Sequence, residues 1–190
     1  MERGRAADGS VSGKAQLAAL QDQTPSARVH LLAQVAVGTI AGCSGATASF
    51  WADGKLVCTA ATHPDLAALL NTELDREGGP VHDAVTIGRT IGCDDIADND
   101  DPKWAQYALS ALLIGVRSSA TVVHEAGRTM TTLTLYGVRP RAITDDSIAA
   151  ASSLTAAAGD LLAQVEPPGS RVQPHNKGTV NQREYTRQPG

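Results

Sequence analysis

Apolar residues recur along this chain with two periods, one near 3.6 and one of 2, and Gly, Pro and Asp mark the switches between them. From Ser26, a candidate N-cap, Val29, Leu32, Ala33, Ala36 and Ile40 follow at helical spacing. Leu31 and Val35 lie outside that stripe, so this first helix reads as apolar on two sides. Ala46–Trp51 and Lys55–Ala61 are short β-like runs joined through Asp53-Gly54, a dipeptide that favours a tight hairpin turn. Pro64 opens a helix carrying Leu66, Leu69, Leu70 and Leu74, Gly78-Gly79 breaks it, and a short helix runs from Pro80 to a stop at Gly88. Thr90–Cys93 reads as a third short strand.

The next helix is signalled at both ends: Asp101 suits its cap, Pro102 its first position and Gly115 its left-handed stop. Ala105, Leu109, Leu112 and Leu113 form its expected apolar face, with Trp104, Tyr107 and Ala111 beside it. Val116–Val123 and Met130–Tyr136 are two strands around a turn at Gly127. Thr144 and Asp145 start an Ala-rich helix to about Val165, lined by Ile148, Ala151, Leu154, Ala158, Leu161 and Val165. Adjacent hairpins imply a largely antiparallel sheet with helices on both faces, hence an α+β fold.

Composition narrows this picture. Residues 1–25 and 166–190 are rich in small, polar and Pro residues with little to bury, so both read as disordered tails around a domain at 26–165. The net charge is -4 and the tails together carry +2, which leaves an acidic body and no electrostatic footprint for nucleic acid. Aromatic content is 3%, too little for stacking bases or caging a large planar chromophore. Cys43, Cys58 and Cys93 are odd in number and far apart, which fits reduced thiols in a cytoplasmic protein. The N-terminus has no secretory pattern, and the uncharged stretch from Val29 to Ala52 is too polar for lipid, so no membrane contact is expected.

Several local sequences agree with one family. Thr59-Ala60-Ala61-Thr62-His63-Pro64 follows the first hairpin, and Gly78-Gly79-Pro80 precedes a helix. Ile91-Gly92-Cys93-Asp94-Asp95-Ile96 leads to the Trp104 helix, Gly115-Val116-Arg117-Ser118 follows it, and Leu133-Thr134-Leu135-Tyr136 closes the series. In that order they resemble a GAF domain, and most closely the GAF domains of actinobacterial regulators, over about 28–165. The resemblance implies a central antiparallel sheet with the terminal helices on one face and a ligand pocket on the other. It also implies sensory or regulatory work, with homodimers forming through the terminal helices. The strand after Arg117 reads Val122-Val123-His124 where the family has a Val-Pro-Leu-like triplet, so its end and any pocket rim there are expected to differ. Many relatives continue into an RNA-binding ANTAR domain, whereas a proline-rich tail follows Val165 here, so that output is expected to be missing.

Candidate chemistry is sparse. Arg117 and the pair Asp94-Asp95 stand where neighbouring strands meet the expected pocket, and an Arg–carboxylate pair there would orient a polar ligand bidentately, or serve as a structural ion pair. Trp104 and Tyr107 would wall the same cavity, or simply pack the core. Asp94, Asp95, Trp104, Tyr107 and Arg117 are therefore the expected binding set. Free methionine-(R)-sulfoxide reductases are one branch of the resembled family, but the three cysteines lack that branch's loop. Cys58, alternating with Leu56 and Ala60, reads as core-facing. His63, His82 and His124 pair with no other ligand at metal spacing, no Cys precedes a His as in bilin-attaching relatives, and Gly78-Gly79-Pro80 lacks the Lys-Ser/Thr of a phosphate loop. No enzymatic activity, metal or cofactor is expected. The expected role is a sensory or regulatory domain for a small molecule or a regulatory protein, with a ligand-free dimerisation module as the alternative.

Overall fold

The computed structural model of the chain describes residues 23–164. Residues 1–22 and 165–190, which hold almost all of the two expected tails and Val165, lie outside the described residues. Twelve short segments build the domain. They are α1 (Pro25–Thr39), β1 (Gly45–Ala52), β2 (Lys55–Ala61), α2 (Pro64–Arg76), α3 (Pro80–Ile87) and β3 (Ile91–Cys93), then 3-10 turns at Ile96–Asp98 and Pro102–Trp104, then α4 (Ala105–Leu113), β4 (Ser118–Ala126), β5 (Thr129–Gly137) and α5 (Asp145–Ala163). The strands form one antiparallel sheet in the order β2-β1-β5-β4-β3. The α+β architecture therefore follows the sequence pattern, with helices on both faces. No described helix is long and apolar enough to cross a membrane.

The two faces of the sheet differ in chemistry. On one, α1 and α5 cover Ala46, Ala48, Phe50, Ala120, Val122, Leu133 and Leu135, and the packing is aliphatic throughout. Because side chains alternate along a strand, the other face receives Thr47, Ser49, Ser119, Thr121, Thr132, Thr134 and Tyr136. Helices α2 and α3 roof that second face, and α4 reaches it through Tyr107, which packs with Tyr136 and bonds to Ser119.

Local signals place most boundaries. Asp53 and Gly54 both take positive φ, 52° and 72°, as a two-residue hairpin turn requires. Gly88 and Gly115 end their segments at φ 70° and 81°. Asp101 Oδ1 accepts from the Lys103 amide at 2.9 Å, although the turn it caps is 3-10 before it becomes α-helical at Ala105.

Other readings need correction. Helix α1 is capped by Thr24, whose Oγ1 accepts from Ala27 N at 3.3 Å, and not by Ser26. Pro25 occupies the first helical position, where its missing N–H costs nothing. Val35 belongs to the core and Leu31 packs against it, so the second apolar side of α1 is largely used within the domain. The pairing of β1 and β2 shifts register between Phe50 and Trp51, which breaks the alternation of Leu56 with Cys58 and leaves Leu56 39% exposed. Strand β4 continues through Val122-Val123-His124 to Ala126, and His124 Nε2 meets Asp160 Oδ1 of α5 at 2.9 Å. In α5 the buried leucines are Leu154 and Leu162; Leu161 is only half-buried.

The largest correction is the orientation of α4. It buries Tyr107, Ala108 and Ala111, and the 3-10 turn before it buries Trp104, while Leu109, Leu112 and Leu113 face outward, Leu113 at 79% exposure. The roofed face explains this. Its serines and threonines need hydrogen-bonding partners, which Tyr107 provides and leucine cannot, and the two alanines let α4 approach Leu66 and Leu69 of α2.

Candidate functional site

The roofed face is a floor of hydroxyl groups in register. Tyr136 stands opposite Ser119, and Thr134 lies between Thr47 and Thr121. Thr132 lies opposite Ser49, which in turn faces Thr59. Thr47, Ser49, Ser119, Thr121, Thr132, Thr134 and Tyr136 are each no more than 1% exposed. Most of these groups pair among themselves. Thr121 and Thr134 hydroxyls are 2.9 Å apart, Thr47 Oγ1 and Tyr136 Oη 3.2 Å, and Ser49 and Thr59 hydroxyls 3.3 Å. From the roof, Tyr107 Oη donates to Ser119 Oγ at 3.2 Å. Burial raises both tyrosine hydroxyls well above their ordinary pKa, so they remain donors.

Glu73 is the exceptional group of the roof. It continues the inner stripe of α2 after Leu66, Leu69 and Leu70, and its side chain is fully buried. Its Oε2 accepts from the Val81 amide at 2.8 Å, so a residue of α2 caps α3, whose own N-cap, Gly79, has no side chain to do so. Gly79 makes room: a Cβ there would lie 2.6 Å from Glu73 Cγ. Loss of water pushes the Glu73 carboxyl up to about 8; the Val81 and His82 amides oppose this, and the Asp83 carboxylate adds to it. At neutral pH the acid is mostly protonated. Its Oε1 has no hydrogen-bonding partner, and the only other buried side-chain polar atom in that condition among the described residues is Trp51 Nε1 of β1.

Two clefts reach this face. One, of about 230 Å³, opens beside Ser44, His63, Leu66 and Tyr136. The other, of about 270 Å³, opens beside Trp51, Leu74, His82 and Val85.

The residues singled out from sequence fall into three places. Trp104 and Tyr107 belong to the roof, with ring centroids 5.7 Å apart at 81°. Trp104 Nε1 donates to Asp83 Oδ2 at 2.8 Å, which fixes the start of α4 to α3. Asp95 and Arg117 lie at the corner where β3 leads away and β4 begins. Arg117 Nη2 donates to Asp95 Oδ2 at 2.7 Å and to Oδ1 at 3.0 Å, with Nε to Oδ1 at 3.1 Å. The Arg117 guanidinium, bonding to it, holds the Asp95 carboxyl below its ordinary range. The backbone joins the same two strands, since Ile96 N donates to Arg117 O at 2.7 Å. Asp94 stands apart, exposed, with Arg141 Nε 3.7 Å from its Oδ2.

Sequence reasoning missed Glu73 and the hydroxyl floor, yet both left a trace. Thr47 and Ser49, Ser119 and Thr121, and Thr132 and Thr134 each recur with period 2 on one strand face. Glu73 falls seven residues after Leu66, on the apolar stripe of its helix.

The cysteines do not form a reactive group. Cys58 and Cys93 lie on the two edge strands, four strand spacings or ~19 Å apart. Cys43 packs into the aliphatic layer, opposite the face that Cys93 packs against. Burial raises all three thiols, Cys43 to about 11, so each is protonated at neutral pH.

No family model matches the chain, and no curated protein matches it in sequence. Solved structures do resemble it. The N-acylhomoserine lactone-dependent LuxR family transcription factor CepR2 of Burkholderia cenocepacia aligns with TM-score 0.59 and 14% identity, over 80% of this chain and 94% of that one. The free methionine-R-sulfoxide reductase of Neisseria meningitidis, solved with its substrate, aligns with TM-score 0.59 and 14% identity, over 85% and 92%. A GAF domain/HD domain protein of Geobacter sulfurreducens aligns with TM-score 0.53 and 14% identity, over 77% and 95%. At such identities the likeness speaks for the fold alone, and by that likeness the domain is GAF-like.

Proposed function

We propose that this protein is a cytoplasmic sensory or regulatory domain that binds a small molecule between the hydroxyl floor and the roof of α2, α3 and α4, without catalysis. The observation that carries this reading is a buried polar interior that leaves Glu73 Oε1 and Trp51 Nε1 unpaired. Buried polar groups in folded proteins almost always have partners, and a ligand would supply the missing ones. Trp104 and Tyr107 wall the ligand, while Asp95 and Arg117 hold the corner from which the roof springs. Asp94 is the outermost of this set. That similar folds include a lactone-dependent transcription factor agrees with such a role. Separated, protonated thiols give no support to a sulfoxide reductase.

A thermal-shift screen of cellular metabolites against the full chain tests the proposal. A ligand at one hundred times its Kd adds about 2.7 kcal/mol, read as a rise in Tm of roughly 10 °C for a domain of this size. A broad screen in which no compound raises Tm would remove the small-molecule reading.

A second reading, an interaction module without a ligand, is favoured by one observation. Leu109, Leu113 and Val138 are 56%, 79% and 57% exposed, and exposed apolar side chains gathered into a patch are what an interaction surface would use. It draws on α4 and not on the terminal helices, whose apolar residues are mostly spent on the sheet. Light scattering at high concentration should then give a dimer that Leu113→Ser dissociates. A monomeric mass throughout would discard it.

A further inference from the structure

We infer that the ligand of the roofed face is an organic cation, an amine or guanidinium, whose positive group pairs with Glu73. This rests on the small-molecule reading above and specifies the chemistry it requires.

Glu73 is fully buried, and no ion pair among the described residues reaches it. The groups acting on its charge are known from each element packed around it. From α3 come the Val81 and His82 amides, which favour the carboxylate, and the Asp83 carboxylate, which opposes it. Tyr107 of α4 and Tyr136 of β5 feel the negative charge of Glu73 in turn. None of these is basic. The interior therefore has an acid and a second carboxylate nearby, the Val81 amide donating to Oε2, and no hydrogen-bonding partner at Oε1. A buried acid without a base is costly unless it stays neutral or a partner arrives.

The surroundings suit a cation. Trp104, Tyr107 and Tyr136 present π-systems, and ring faces attract ammonium and guanidinium groups most strongly where water is excluded. Tyr136 Oη and Thr47 Oγ1 supply acceptor lone pairs. An anion would find the carboxyls of Glu73 and Asp83 already present. The cleft at Ser44, His63 and Leu66 is backed by Tyr136 on this face, and Glu73 lies seven residues beyond Leu66 on the same helix stripe, about 10 Å along its axis.

Binding moves one proton. The neutral acid releases its proton to solvent as the cation enters, leaving the carboxylate paired with the ligand's positive group and still accepting from the Val81 amide. Below the carboxyl's folded pKa, affinity therefore rises with pH.

The test uses the full chain with n-butylamine and agmatine as cationic probes and butyramide and n-butanol as neutral ones, followed by calorimetry and thermal shift. The amines are expected to raise Tm and the neutral probes not to. Amine affinity should increase about tenfold per pH unit from pH 6 toward 8 and level off above it, with about one proton released per ligand in buffers of different ionisation enthalpy. Glu73→Gln should lose at least tenfold in amine affinity while its own melting curve shows it folded. Wild type supplies the proton count independently of that variant. Stabilisation by butyramide with affinity that falls as pH rises would overturn the cation and leave a ligand-binding face. An amine response unchanged in Glu73→Gln would overturn the site. If the metabolite screen finds a ligand while no amine binds, the cation class is wrong; if the screen finds nothing, the failure lies with the small-molecule reading itself.

Discussion

Glu73→Gln should be more stable than wild type at pH 9 and nearly equal to it at pH 5. The Glu73 carboxyl titrates near 8 in the folded protein and near its ordinary 4.5 when unfolded, because burial strips its water. The folded state thus holds the proton more tightly than the unfolded chain. The stability this provides is complete below pH 4.5 and is lost as pH rises toward and through 8. A shift of that size corresponds to at most about 5 kcal/mol across the window, at roughly 1.4 kcal/mol per unit. Glutamine keeps the shape and an oxygen for the Val81 amide but does not titrate. Urea unfolding at pH 5, 7 and 9 should give a wild-type stability that declines relative to the variant by roughly 2–5 kcal/mol from the first to the last. Other titrating groups are common to both proteins and cancel in the difference. Parallel curves would mean that Glu73 is ionised in the folded protein or is wetter than its surroundings indicate.

Gly79→Ala is expected to damage the fold strongly, because it breaks two requirements at once. Gly79 sits at φ 138° and ψ 175°, a region that residues with a Cβ scarcely enter, at a cost of about 1–3 kcal/mol. The added carbon would also lie 2.6 Å from Glu73 Cγ and 2.7 Å from Oε2, so the carboxyl must leave the α3 amides it caps. Losing that buried hydrogen bond adds roughly 1–3 kcal/mol, for a total near 4 kcal/mol. Gly54→Ala is the control. Its φ is 72° but nothing lies within 4 Å of the new carbon, so only the backbone cost of about 1–2 kcal/mol remains. Denaturant midpoints for the two variants should differ by a factor that reflects this gap. Equal losses would show that the Glu73–α3 contact contributes little.

How much of this was legible in the sequence depends on the range over which each feature is decided. Pro64, Pro80, Asp101, Thr144, Gly88 and Gly115 act within a residue or two of themselves, so the element order and most boundaries could be read in advance. The Asp53-Gly54 and Gly127 turns, each joining two adjacent β-like runs, implied the antiparallel sheet for the same reason. The orientation of α4 could not be read that way. Counting apolar residues puts Leu109, Leu112 and Leu113 inside, and their greater hydrophobicity is outweighed by the hydroxyls waiting on the sheet. Those hydroxyls select Tyr107, and Asp83 of α3 selects Trp104. Of the site residues read from sequence, Trp104 and Tyr107 came from a correctly placed helix, and Arg117 and Asp95 from the meeting of two strands. Glu73 was overlooked because a glutamate on a helix usually faces water.

By itself, then, the sequence determined the helices, the strands and their order, and its resemblance to the GAF family implied how they are arranged. Only the tertiary structure decided which side of α4 is inside, that one face of the sheet is a layer of buried hydroxyls, and that an acid lies beneath the roof without a base. The physical reason is range. Caps, turns and periodicity are settled by neighbours along the chain, whereas the solvation of Glu73 is settled by Val81 and Asp83 on another helix and by Tyr107 and Tyr136, which reach it only when the chain has folded.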